Sequence, residues 1–197
     1  MKNIVNEYRL QAYDNLYGVF SKENIEKCDN AANLIYNDIE QILFIGNGGS
    51  HASCCLHISE DFFKVASIPS FALENPSLIT CLSNDYGYEN VYEEWLKRFD
   101  DYENTLLIAI SSSGNSKNII NGVKYFNKIN GFKEKSGHLT DKVITFSSQS
   151  LENELLKETA DIKFHLPTFN YGAAEIYHSM WLHMILDRVV ELNRKQN

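Results

Sequence analysis

The run TLLIAI, from Thr105 to Ile110, is apolar at nearly every position and carries no charge. A strand with one wet face would alternate polar and apolar side chains. A run this uniformly apolar has to be covered on both faces, which is the situation of a central strand in a parallel sheet with helices above and below it. The same order of apolar run, polar loop and helix recurs along the chain. QILFIGNGGS precedes a helical stretch from Ser50 to about Lys64, and SIPSFALE is followed by Asn75, Pro76 and Ser77, which supply turn and capping chemistry for a helix through LITCLSNDYG. TLLIAI runs into SSSGNS and the helical NIINGVKYFNKI; KVITFSS is followed by a short helix in SLENELLKETA; DIKFHLP ends at Pro167. Two helices from Asn3 to about Tyr36, interrupted near Ser21 and Lys22, precede all of this, and an amphipathic helix from about Ala173 to Leu192 closes it. The polar stretch from Asn130 to Lys142, with Gly131, Lys133, Lys135, Gly137 and His138, reads as a surface insertion. The expected fold is α/β, a doubly wound parallel sheet flanked by helices in three layers, forming one domain over residues 1–197.

A charge of −8 argues against nucleic acid or an anionic membrane as partner, since both need a basic footprint. A small anion is compatible with it, because local backbone dipoles hold an anion against the net charge. No window approaches the roughly 18 apolar residues of a membrane span. The N-terminal stretch lacks the apolar core and cleavage site of a signal peptide, so a cytoplasmic location is expected. Cys28, Cys54, Cys55 and Cys81 match no zinc-ribbon or redox spacing and are expected to be reduced and mostly buried.

Two loops concentrate the chemistry. Gly46-Asn47-Gly48-Gly49-Ser50 links a strand to a helix, where glycines let backbone N–H groups approach an anion and the helix end contributes about half a positive charge. Taken alone, it is equally a tight turn with a serine cap. Ser111-Ser112-Ser113-Gly114-Asn115-Ser116 repeats the arrangement after the most apolar strand and adds hydroxyl donors, so two such loops at neighbouring strand ends point to one oxyanion crevice. Gly46-x-Gly48 also begins a dinucleotide fingerprint, but His51 stands where the third glycine belongs and Glu74 comes late for a ribose contact. Walker A and GxSxG motifs do not occur.

Acid–base candidates lie on two helices. His57 shares a helix face with Asp61 at i+4 or Glu60 at i+3, and Glu175 and His183, eight residues apart, return to one face, with His178 further round. Away from the two loops, such pairs are more often solvated ion pairs.

With these segments in view, the chain resembles the phosphoheptose isomerases of the sugar-isomerase (SIS) domain superfamily. GNGGS at Gly46–Ser50, SNDYGYEN at Ser83–Asn90, ISSSGNSKN at Ile110–Asn118 and EIYHSMWLH at Glu175–His183 appear in family order. The resemblance implies a five-stranded sheet and a homotetramer whose sites combine neighbouring subunits, with helices 1–38 at the interface. Their aromatic content makes Tyr8, Tyr13, Tyr17, Phe20 and Trp181 the residues expected near such contacts, with ordinary core as the alternative for each. It implies conversion of sedoheptulose 7-phosphate to D-glycero-D-manno-heptose 7-phosphate through an enediolate. Asn47, Gly48, Gly49, Ser50, Ser111, Ser112, Ser113 and Ser116 would contact phosphate and sugar, Asn84, Asp85 and Glu175 the substrate, and His183 would be catalytic. An isomerase for another sugar phosphate, or a non-catalytic phosphosugar-binding module, are the alternatives.

Three positions depart from the family. The usual count from the GNGGS serine to the histidine and its acid gives Leu56 and Glu60, whereas one inserted residue gives His57 and Asp61; both acids stay open as the catalytic one. Glu175 stands in place of a glutamine, and Gly172-Ala173-Ala174 replaces an acidic position. His57, Asp61, Glu175 and His183 together form a two-histidine, two-carboxylate set suited to zinc.

Overall fold

The computed structural model describes residues 2–99, 103–135, 141–168 and 170–195, with some side chains of the first helix and of the residues after 131 also left undescribed. Helices α1 (Lys2–Val19) and α2 (Lys22–Asp38) come first. Ser21 separates them by accepting a hydrogen bond from the Asn24 N–H, and the Asn24 side chain donates back to the Gly18 carbonyl at 2.8 Å. Next are β1 (Gln41–Gly46), α3 (Gly48–Ser50), a π turn (His51–Leu56) and α4 (His57–Val65), which run on as one continuous helical segment after the strand. Then follow β2 (Ser70–Ala72), α5 (Pro76–Tyr86), a 3₁₀ turn (Tyr88–Asn90), α6 (Val91–Leu96), β3 (Thr105–Ser111) and α7 (Lys117–Lys135). The chain ends with β4 (Lys142–Ser148), α8 (Glu154–Lys157), β5 (Ile162–Leu166) and α9 (Tyr171–Arg194).

All four strand pairings are parallel, in the order β2-β1-β3-β4-β5. The order reverses direction between β1 and β3, so the connections leaving these strands pass to opposite faces and open a crevice at their carboxyl ends. The period-2 geometry of strands sorts the apolar runs into two cores. Phe44, Ile108, Ile110 and Phe146 face α2, α4 and α9, while Leu43, Ile45, Leu107 and Ala109 face α5, α6 and α7. This is the doubly wound, three-layer α/β architecture expected from the sequence, with TLLIAI as its middle strand.

Three expectations are corrected. The stretch 130–142 is not a surface insertion throughout, since α7 continues to Lys135 and Asp141 is 1 % exposed. Asp141 accepts from the Thr105 N–H at 3.0 Å and trades two hydrogen bonds with Asn130, which ties the end of α7 to the sheet; residues 136–140, with Gly137 and His138, lie outside the described residues. Trp181, expected near a subunit contact or else in the ordinary core, is fully buried against the stacked rings of Phe146 and Phe164, and its indole N–H donates to the Val19 carbonyl at 3.1 Å. Tyr17 and Phe20 are exposed, whereas the Tyr8 and Tyr13 side chains lie outside the described residues. The helix expected from Ser50 to Lys64 is not a uniform α-helix, because the π turn interrupts it. Cys28, Cys54 and Cys55 are buried and unbridged, Cys81 is exposed, and among the described residues no helix is long and apolar enough to cross a membrane.

Trp181→Ala is expected to lower the unfolding free energy by about 3–5 kcal/mol, independently of protein concentration, while Tyr17→Ala changes it little. Urea unfolding at two protein concentrations checks this. A Trp181→Ala loss that vanishes on dilution would place the indole at a subunit contact instead.

Candidate active site

The pairing of β1 with β3 runs in register from Gln41 opposite Thr105 to Gly46 opposite Ile110, so both polar loops leave the sheet at the same level. Between them lies a crevice of about 280 Å³, bounded by residues 47–50 on one side, by Ser111, Ser112, Ser113 and Ser116 on the other, and by Tyr171 and Glu175 of α9. Gly48 has φ +53°, a left-handed conformation that favours glycine. A Cβ on Gly49 would overlap the Glu175 carboxylate, which lies against this turn. The Asn47 side chain caps none of the N–H groups of the helical turn that follows it, which keeps those donors available to a ligand. The serine loop is ordered internally: the Ser111 hydroxyl accepts from Gly114 N–H and donates to Ser116 Oγ, both at 3.1 Å, and Ser113 Oγ accepts from Asn115 N–H at 3.2 Å.

Cross-links join the two loops. Ser50 and Ser112 hydroxyls lie 3.0 Å apart, Asn47 and Asn118 side chains exchange two hydrogen bonds, and the Tyr88 hydroxyl donates to Asn47 Oδ1 at 3.1 Å. Behind the serine loop the Ser148 N–H donates to the Ser112 carbonyl, and Ser148 Oγ meets His178 Nε2 at 3.1 Å.

A second cluster sits further along the same two helical segments. Donor atoms of His57, Asp61 and His183 all lie within 4.8 Å of one another, with His57 Nε2 3.6 Å from Asp61 Oδ2 and the two imidazole rings 5.2 Å apart, edge to face. Two imidazoles and a carboxylate, partly open to solvent, are a donor set that suits a divalent cation and leaves room for a further ligand. Glu175 is not part of this group; eight residues before His183, its carboxylate faces the glycine turn, so the four-ligand set expected from the sequence is reduced to three. Glu60 is directed elsewhere, into a groove lined by Ser59, Phe63, Lys64, Ser70 and Phe71. The π turn explains the choice. Its wider hydrogen-bonded ring absorbs one extra residue, so His57 and Asp61 take the positions that Leu56 and Glu60 would have held in an unbroken α-helix.

Asn84 and Asp85, expected at the substrate, are exposed on the last turn of α5 and hydrogen-bonded to each other at 3.0 Å, outside the crevice. Tyr88, from the same segment, is the residue that reaches the glycine loop. Sequence reasoning passed over Tyr88, Asn118 and Tyr171. The first two lay inside recognised motifs, but only their side-chain contacts reveal their part.

No protein-family model matches the chain. The phosphoheptose isomerase of Haemophilus ducreyi is 30 % identical over 174 residues, covering 84 % of this chain and 82 % of the relative. The chain belongs to the phosphoheptose isomerase family. A second relative, the phosphoheptose isomerase of Fusobacterium nucleatum, is 28 % identical over 181 residues, covering 89 % of this chain and 86 % of the relative. Among solved structures, a phosphoheptose isomerase from Neisseria gonorrhoeae shares the fold with a TM-score of 0.78 at 21 % identity, covering 95 % of this chain and 98 % of the other.

In this phosphoheptose isomerase family member, burial holds the His178 imidazole neutral by lowering its pKa from 6.5 to about 4, and burial lowers His51 and His165 as well. Between those values the unfolded chain binds a proton that the folded chain refuses, so stability rises with pH there. Unfolding free energy is expected to fall as pH drops from 6.5 toward 4 and to depend less on pH in His178→Gln. Denaturant titrations across that window check it, and identical slopes in both proteins would contradict it.

Proposed function

We propose that this chain interconverts sedoheptulose 7-phosphate and D-glycero-D-manno-heptose 7-phosphate, with the phosphate in the crevice and C1 and C2 at the His57, Asp61 and His183 cluster. The observation that carries this reading is a separation. Glu175 at the crevice and His183 at the cluster are eight residues apart on α9, as are Gly49 and His57 on the other segment. Eight α-helical residues, as on α9, advance about 12 Å. An extended chain advances about 1.2 Å per bond, so the eight bonds from phosphorus to C1 of a seven-carbon 7-phosphate cover roughly 10 Å. That falls about 2 Å short of the helical advance, within the reach of a hydrogen bond to the acid–base groups. By the same measure a triose phosphate, with four bonds, covers roughly 5 Å and a pentose phosphate roughly 7 Å. Family membership supports the same substrate.

The N–H groups of Gly48, Gly49 and Ser50 and the hydroxyls of Ser112, Ser113 and Ser116 hold the phosphate oxygens, aided by two helix N-termini. At the other end a base takes the C1 proton, the C1–H electron pair becomes the C1–C2 double bond, and O2 becomes an oxyanion. Protonation of O2, loss of the O1 proton and return of a proton to C2 complete the aldose. Asp61 is the base in this scheme, rather than Glu60, because it shares the cluster with His183, which moves protons at the two oxygens. A zinc ion held by His57, one oxygen of Asp61 and one nitrogen of His183 would supply a Lewis acid to stabilise the oxyanion, leaving the second Asp61 oxygen as the base and relieving His183 of its proton-moving role at the coordinated nitrogen. Glu175 accepts from a sugar hydroxyl near the phosphate. A homotetramer in the cytoplasm, with helices 1–38 at its interfaces, completes the reading; there Asn84 and Asp85, exposed on their own subunit, are free to serve a neighbour's site.

Assay of sedoheptulose 7-phosphate beside ketose phosphates of three to six carbons tests it. Turnover is expected to be fastest with seven carbons, to disappear in His183→Ala, to fall about 10²–10⁴-fold in Asp61→Ala, and to change little in Glu60→Ala. Comparable turnover of the shorter substrates would refute the spacing argument, and binding without turnover of any of them would favour the non-catalytic module. Elemental analysis is expected to find zinc that is lost in His183→Ala; full activity in EDTA with no bound metal would remove zinc from the scheme.

A further inference from the structure

Asn47 lines the crevice, and its amide can present either a carbonyl oxygen, which repels an anion, or an N–H, which binds one. Its orientation follows from its neighbours. The Ile119 backbone N–H can only donate, and it donates to Asn118 Oδ1 at 3.0 Å, which fixes the Asn118 amide. Asn118 Nδ2 then donates to Asn47 Oδ1 at 2.8 Å, and Asn118 Oδ1 accepts from Asn47 Nδ2 at 2.9 Å. The Tyr88 hydroxyl donates to the same Asn47 oxygen at 3.1 Å. With Asn47 Oδ1 already accepting two hydrogen bonds, flipping this amide would set N–H against N–H and oxygen against oxygen. One Asn47 N–H has no partner among the described residues.

We infer that Asn118 is a positioning residue which, with Tyr88, locks Asn47 so that the crevice offers the phosphate an N–H instead of a carbonyl oxygen. The inference rests on the phosphate-binding reading above. Asn118 is 2 % exposed and takes no part in lining the crevice, so its effect on a ligand passes through Asn47.

Asn118→Asp keeps the acceptor for Ile119 N–H and Asn47 Nδ2 but removes the donor that holds Asn47 Oδ1. In the full chain it is expected to weaken inorganic phosphate binding about tenfold and to raise KM for sedoheptulose 7-phosphate by a similar factor, with a smaller change in kcat. Tyr88→Phe, at a half-exposed site, is expected to weaken phosphate about threefold with an unchanged melting temperature, and it serves the same purpose where Asn118→Asp fails to fold. In an Asn47→Ala background, Asn118→Asp is expected to have no further effect. Wild-type affinity in a folded Asn118→Asp or in Tyr88→Phe, or an undiminished Asn118→Asp effect in the Asn47→Ala background, would overturn the inference while leaving phosphate binding intact. Failure of the wild-type chain to bind phosphate would overturn the phosphate reading itself, and this inference with it.

Discussion

The in-register ladder between β1 and β3 is the interaction on which the rest of the site depends. Because each residue of QILFIG stands opposite one of TLLIAI, the glycine loop and the serine loop emerge side by side. Only then do Ser50 and Ser112, or Asn47 and Asn118, come within hydrogen-bonding distance. The ladder lies between two apolar layers that exclude water, which makes a slip in register costly: moving by one residue would exchange the side chains committed to the two cores. The strand order reverses at this same pair, so the crevice stays open where the two helix N-termini converge.

From that origin two helical segments carry the site outward. Residues 48–65 and α9 both pass the crevice, at Gly49 and Glu175, and each brings a histidine to the second cluster eight residues further on. Helix pitch thereby sets the distance between the crevice and the histidine–aspartate cluster. The direction of the side chains is set separately, by the π turn. In an α-helix each residue advances about 100° around the axis, so an uncompensated extra residue would have turned His57 and Asp61 aside and left Leu56 and Glu60 facing α9. The turn takes up that residue before His57, and the i,i+4 pair that follows arrives intact.

The architecture was legible because burial writes itself into the strands. TLLIAI and the VITF of KVITFSS are apolar where two layers cover them, apart from Thr105 and Thr145, and polar loops follow where the sheet ends. The meeting of the two polar loops at one crevice was legible for the same reason. The Asp61 or Glu60 ambiguity was not resolvable from spacing, since a π turn leaves no compositional mark in HASCCL. Glu175, expected both at the substrate and among the metal ligands, lies at the crevice and not in the cluster, because helical periodicity shows which residues share a face but not what each faces along a helix of 24 residues. Trp181 shows the limit of aromatic content as a guide to interfaces: a large ring on α9 serves the Phe146–Phe164 stack as readily as a partner subunit. Tyr88 and Asn118 act through contacts 41 and 71 residues distant in sequence, which no local pattern encodes.

The central claim is that the crevice and the histidine–aspartate cluster hold opposite ends of one extended molecule. The most direct measurement is a crystal structure of the His183→Ala chain with sedoheptulose 7-phosphate bound. The account predicts phosphorus between residues 47–50 and 111–116, with C1 and C2 lying next to Asp61. Phosphate density elsewhere, or a sugar chain directed away from Asp61, would contradict it.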